Sequence, residues 1–368
     1  MYRVKNGNFI QIMLALALLL SALVGGGTVE AAGSAGAVYV LTNAATGNSV
    51  IVFDRAADGT LEAVGSVPTG GLGSGSGLGS QGALVLSEDN QWLFAVNAGS
   101  HEISIVAVEP GGLALVDTVA SGGERPISLT VHKNLLYVLN AGGAGNVTGF
   151  TVGAHGELSP LAGSTRPLSG SGVGPAQVSF SPDGSVLVVT EKGTNLIDTY
   201  TIGADGLASG PTTHASAGNT PFGFAFGKHD QLIVSEASSG ALSSYHVAGG
   251  DLQVVSASAG TNQTAACWVV ITQNGKYAYT TNAGSGSISG YRVDQDGTLN
   301  LLDADGRTGV TGDGSSPIDM ALSNNSQYLY VLNSGLHTIS AFQVEADGSL
   351  TLLPGTGLPA GVVGLAAH

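Results

Sequence analysis

Pro175-AQVSFSPDGSVLVVTEKGTNLIDTYTIGADG-Leu207 reads as three short strands and the start of a fourth. AQVSF alternates in polarity and SPDG turns. SVLVV is apolar and EKGTN turns. LIDTYTI alternates again, and Gly206 leads into the last strand. Alternation with period two marks half-buried strands, and Asp-Gly supplies the positive φ that tight hairpins need.

The chain repeats this unit. The turn before the fourth strand recurs at Asp58-Gly59, Gly111-Gly112, Gly156-Glu157 and Asp205-Gly206, then at Gly250-Asp251, Asp296-Gly297 and Asp347-Gly348. Copies spaced by roughly 45–50 residues fall in the range of four-stranded propeller blades. A second mark ends the second strand: Asn97, Asn140, Asn282 and Asn333, with Thr190 and Ser235 in the same slot. A third opens the first strand: Pro126, Pro175, Pro221 and Pro317. The repeat starting at Ala37 has no first strand before it. Pro359-AGVVGLAA at the other end reads as a first strand with nothing after it. Together the two ends make one blade. The expected fold is all-β, a seven-bladed propeller over residues 32–368, closed by the C-terminal strand pairing with the N-terminal three.

Composition bounds the function classes. Among 368 residues, 58 are glycine, 10% are charged and the net charge is −15. Gly-rich turns between Val, Ala and Leu strands account for the first two figures. No Lys/Arg patch is available for phosphates, so nucleic-acid binding is not expected. The one cysteine, Cys267, reads as a small core residue.

Residues 1–31 carry a secretory signal pattern: Arg3 and Lys5, an apolar run from Ile10 to Val24, and Val29-Glu30-Ala31 as a small-x-small cleavage site. The expectation is a periplasmic or extracellular monomer with no membrane span once the signal is removed.

Thr69-GGLGSGSGLGSQ-Gly82 is the longest glycine run. Gly77-Leu78-Gly79-Ser80-Gln81-Gly82 matches the dinucleotide fingerprint in form only, because ALVLS after it reads as a strand and the fingerprint must open a helix. The run is either a connector between the first two blades or a flap over one mouth of the channel. Asp303, Asp305 and Asp313 offer oxygen ligands for calcium, but Arg307 stands where an EF-hand needs its third, so calcium is possible rather than indicated.

In a propeller, the loop entering the first strand and the loop leaving the second surround one mouth of the channel. On the leaving side, Glu191 and Glu236 in adjacent blades could act as acid and base or hold a cation. On the entering side stand Arg125, Gln177, Phe222 and Trp268. Arg125 would clamp an anion.

The chain resembles the seven-bladed lactonase propellers, the group of propeller-type 6-phosphogluconolactonase and carboxymuconate cyclase. The resemblance is carried by Gly174 through Gly184, Thr220-Pro221 through Glu236, Asn282-Ala-Gly-Ser and the repeated Asp-Gly turns. It implies a carboxylic ester hydrolase acting on a lactone or sugar-derived lactone at the channel mouth. Of the family's histidine, two arginines and glutamate, Glu236 matches the glutamate. Ala176, Phe222 with Gly223, and Trp268 stand where the others are expected. The first reading is a lactonase with Glu236 and Glu191 as catalytic groups and Arg125, Gln177, Phe222 and Trp268 on the substrate. The alternative is a non-catalytic propeller holding a peptide, sugar or partner protein at the mouth.

Overall fold

The computed structural model describes residues 34–368, apart from Gly111. The signal pattern of residues 1–31 lies outside these residues. All regular structure among the described residues is strand. Seven antiparallel sheets each run from an inner strand outward. Blades 2 to 7 open at Leu84–Leu86, Pro126–His132, Pro175–Phe180, Pro221–Phe226, Ala266–Ile271 and Pro317–Leu322. Successive inner strands touch around the ring. In blades 3 and 6 the outer strand is split in two: Leu158–Pro160 with Arg166–Pro167, and Leu299–Leu301 with Gly309–Val310.

Blade 1 closes as its two sequence ends imply. Val363–Ala367 is its inner strand and pairs antiparallel with Gly36–Leu41, Leu365 opposite Val40. His368 N donates to Ala37 O (3.0 Å), and Arg55 Nε donates to His368 O (3.2 Å).

Blade stacking explains the strand patterns. A second strand is covered on both faces by neighbouring blades, so Val186–Glu191, Gln231–Glu236 and Tyr328–Asn333 are buried throughout. Outer strands such as Gly112–Ala120 are mostly exposed. Tyr137, Tyr200, Tyr245, Tyr279, Tyr291 and Tyr330 are fully buried between blades. Burying a large side chain stabilises by roughly 1.5–3 kcal/mol, and each phenol needs a partner. Neighbouring turns supply several: Tyr330 donates to Gly59 O (2.9 Å), Tyr137 to Gly206 O (2.9 Å) and Tyr279 to Gly348 O (2.8 Å). Each of these Asp-Gly turns therefore docks on the blade before it.

The inner strands carry a second interlock. In blades 3 to 7 the residue two places after the opening residue sits at or beside a break in strand register. From there it can reach the next blade. Ser128 Oγ accepts from Val178 N (3.1 Å). Gln177 Oε1 accepts from Phe224 N (2.7 Å), and its Nε2 donates to Phe224 O (3.0 Å). Asp319 Oδ2 accepts from Leu365 N (3.1 Å). Blade 5 has Gly223 in this position and so lacks a reaching side chain. Gln81, from the glycine-rich run, takes its place: Oε1 accepts from Val269 N (3.0 Å) and Nε2 donates to Val269 O (2.8 Å).

Candidate active site

The run from Thr69 to Gly82 crosses one mouth of the channel. Gln81 N donates to Ala176 O of blade 4 (3.1 Å), Ser80 Oγ to Ile127 O of blade 3 (2.8 Å), and Trp268 Nε1 of blade 6 donates to Ser80 O (2.9 Å). Of the two readings, the structure selects the cover over the mouth. Phe222 and Trp268 are buried beneath it, ring centroids 4.8 Å apart. Gln177 is buried with both amide atoms engaged by Phe224. Below the cover the channel holds a cavity of about 290 Å3 lined by Gln81, Gln177 and Asp319 among others. Burial lifts the Asp319 carboxyl to about 7.

Glu191 and Glu236 are 0% exposed. Their register corrects the slot assignment made from sequence. Pro126 pairs with Asn140, Pro175 with Glu191, Pro221 with Glu236, and Pro317 with Asn333. The glutamates therefore occupy the asparagine slot at the end of the second strand, not the loop position after it. The residue there grips the third strand seven positions on: Asn97 Nδ2 to Ser104 Oγ (2.6 Å), Asn282 to Ser289 (2.9 Å), Asn333 to Ser340 (2.8 Å). In blade 5 the same geometry has Ser243 Oγ donating to Glu236 Oε1 (2.5 Å), joined by Ser216 Oγ (3.3 Å). In blade 4 the partner is an acid, Asp198. Glu191 also accepts from Ser169 N (3.1 Å), Ser169 Oγ (2.5 Å) and Thr194 Oγ1 (2.7 Å). Among the described residues the two glutamates share no hydrogen-bond partner.

The mouth face does gather two cations. A recess of about 220 Å3 beside the cover is lined by Arg125, Lys192, Leu78, Ile127, Leu168 and Val173, with glycine main chain between them and no acidic side chain. Arg125 is exposed at φ 54° just before Pro126, and its N–H is held by His101 Nδ1 (2.9 Å). Lys192 directly follows Glu191 on the blade 4 exit. Its Nζ donates to Gly79 O of the cover and lies 4.8 Å from the Phe222 ring centroid. Burial pulls this amine down to about 8; neighbouring Cys267 opposes the shift and Arg125 adds to it. Cys267 itself is buried, its thiol pushed up to about 12. Lys192 N also donates to Gly174 O (2.9 Å) and Gly193 N to Val173 O (2.8 Å), which ties the amine's backbone to the recess wall. The groove between blades 1 and 7 is larger, about 770 Å3, but its lining has no titratable side chain.

Sequence reading singled out Arg125 and missed Lys192. The chain has 11 Lys and Arg in all, so a lysine next to a mouth glutamate was itself a signal. Among the described residues no group of three or more His, Cys, Asp or Glu is arranged for a metal ion. Asp303 and Asp305 serve local turns, accepting from Thr308 Oγ1 (2.7 Å) and Arg307 N (3.1 Å).

The family model for the lactonase seven-bladed beta-propeller matches residues 35–171 and 76–356. The chain belongs to the seven-bladed lactonase propellers. Among relatives, the 6-phosphogluconolactonase of Bacillus subtilis (strain 168) is 24% identical over 305 residues, covering 76% of this chain and 84% of that protein. A putative 6-phosphogluconolactonase from Bacteroides fragilis superposes with TM-score 0.71 at 22% identity, covering 90% of this chain and 98% of that one. The periplasmic gluconolactonase of Pseudomonas aeruginosa gives TM-score 0.70 at 18% identity, covering 90% and 99%. At these identities the superpositions show a shared fold.

Proposed function

We propose that this lactonase propeller is a secreted hydrolase that opens a sugar-derived lactone in the Arg125–Lys192 recess. The observation that carries the reading is the convergence of two cations on one small, otherwise uncharged cavity of a protein with net charge −15. The sequence pattern of residues 1–31 supports secretion. The Arg125 guanidinium stabilises the oxyanion that forms when water adds to the ester carbonyl. Lys192, with its amine near 8, has a neutral fraction able to take the proton from that water. Collapse of the adduct breaks the ring C–O bond, and the lysine returns its proton to the leaving alkoxide. Glu191, gripped by hydroxyls, holds the blade 4 exit that carries Lys192, and Glu236 holds the blade 5 exit in the same way.

A panel of phosphorylated and unphosphorylated aldonolactones tests this. Lys192→Met should lower kcat by about 100-fold or more, the usual worth of a general base. The wild-type rate should rise as pH passes through about 8, because the neutral amine is the active form. Arg125→Gln should lower kcat/KM, and Glu236→Gln should retain most activity. Loss confined to Glu236→Gln or Glu191→Gln would return the base to the glutamates.

The filled mouth favours a second reading. Gln81, Phe222 and Trp268 are packed where a substrate would otherwise enter, which suits a propeller that binds without turnover. Tight binding of an aldonate with no hydrolysis across the panel would select it.

A further inference from the structure

Blade 4 departs from blades 2, 5, 6 and 7 at one point. Seven residues after the slot at the end of the second strand, blades 2, 5, 6 and 7 have Ser104, Ser243, Ser289 and Ser340, and blade 4 has Asp198. Both Asp198 and Glu191 are fully buried. Ser169 N donates to both, at 3.1 Å to Glu191 Oε1 and 3.0 Å to Asp198 Oδ2. Asp198 Oδ1 is buried without a hydrogen-bond donor, and a proton shared with the neighbouring Glu191 would satisfy it. Ser169 belongs to the segment whose Leu168, Gly172, Val173 and Gly174 wall the recess.

We infer that the Glu191–Asp198 pair is a proton-dependent fastener that positions the 168–174 wall, and through it Lys192, for ligand capture. Two buried carboxyls in contact hold together with one proton between them and repel without it. Burial first, then the hydrogen bond and charge of Glu191, lift Asp198 to about 8; none of the groups shifting it is a cation. The other titratable group facing the pair is Tyr200, whose hydroxyl is occupied by Pro167 O (2.9 Å). The raised carboxyl sets the sign. In the unfolded chain Asp198 loses its proton at its ordinary value, so its contribution to stability is largest at low pH and is lost as pH rises through about 8. Asp319, lifted to about 7, adds a slope of the same sign that ends lower.

The test is amide exchange of residues 168–174 in the ligand-free protein, corrected for intrinsic rates and referenced to the second strand of blade 5. Asp198→Ser reproduces the arrangement that blade 5 already uses, so the variant is expected to fold. Between about pH 6 and pH 9, wild-type protection of the wall should fall at least about tenfold, and Asp198→Ser should show no such step. Asp198→Asn, a neutral isostere, should stay protected at both values. An unchanged wild-type wall, or a step that persists in Asp198→Ser, would overturn the fastener. The link to ligand capture rests on the recess being the site, and gluconate affinity tests it separately. Wild type should bind gluconate more weakly at the higher pH, with the Asp198→Ser loss smaller. If gluconate binds neither protein, the recess reading falls while the exchange result still decides the fastener.

Discussion

Gly59 holds φ at 84° with the Tyr328 ring directly over it, so a Cβ there would collide with the ring. Gly348 meets Tyr277 in the same way, and Gly156 meets Trp92. The glycine is thus required twice, by the turn and by the blade on which it docks. This explains why the repeat was legible at single residues: an Asp-Gly turn is both a local hairpin signal and an inter-blade contact. Gly59→Ala should destabilise by about 1–3 kcal/mol, the cost of a strained backbone, before any loss of Tyr328 packing. A shifted midpoint in chemical denaturation measures it. The glutamates were harder to place. Thr190-Glu191 and Ser235-Glu236 allow two alignments against Val-Leu-Asn, and only the pairing of Glu191 with Pro175 chooses between them. Asp198 gave no sequence cue, because strand alternation does not say which polar residue meets another acid.

Among elements, the glycine-rich run shows how far periodicity reaches. It contains no strand pattern, so sequence left it as connector or cover. What fixes it is the missing side chain at Gly223, a contact between residues far apart in the chain. A Cβ at Gly223 would collide with Gln81 Oε1 and with Cys267 O. Gly223→Ala should therefore eject Gln81 and loosen Ser80 from Trp268 while leaving the blades paired. With two tryptophans in the chain, a red shift in emission that is absent from a Trp268→Phe background reports it. An unshifted spectrum with unchanged stability would mean that the cover does not depend on this contact. The recess was half legible for the same reason. Arg125 lies beside a repeat mark, whereas Lys192 gains its meaning from Gly79 of another blade's loop.

Across the whole molecule, the fold was readable because seven imperfect copies average out the ambiguity of any one. The incomplete first and last copies also told how the ring shuts. Val363, Leu365 and Ala366 are buried, and Asp319 of blade 7 accepts from Leu365 N. Removing residues 362–368 should leave blade 1 without its inner strand and Asp319 without one of its two donors. The expected result is loss of the cooperative thermal transition by circular dichroism. Supplying the missing segment as a separate peptide should restore part of it. A truncated protein that melts like the full chain would refute the role given to this closure.

Tyr39 and His368, 329 positions apart, meet at 3.1 Å across that seam. During synthesis the first three strands of blade 1 emerge early and wait for almost the whole remaining chain before their sheet is finished. Until then every nascent intermediate leaves the Gly36–Leu41 edge unpaired, an invitation to pair with another chain. The order of translation thus leaves that edge open to the same edge of another copy until Val363–Ala367 arrives.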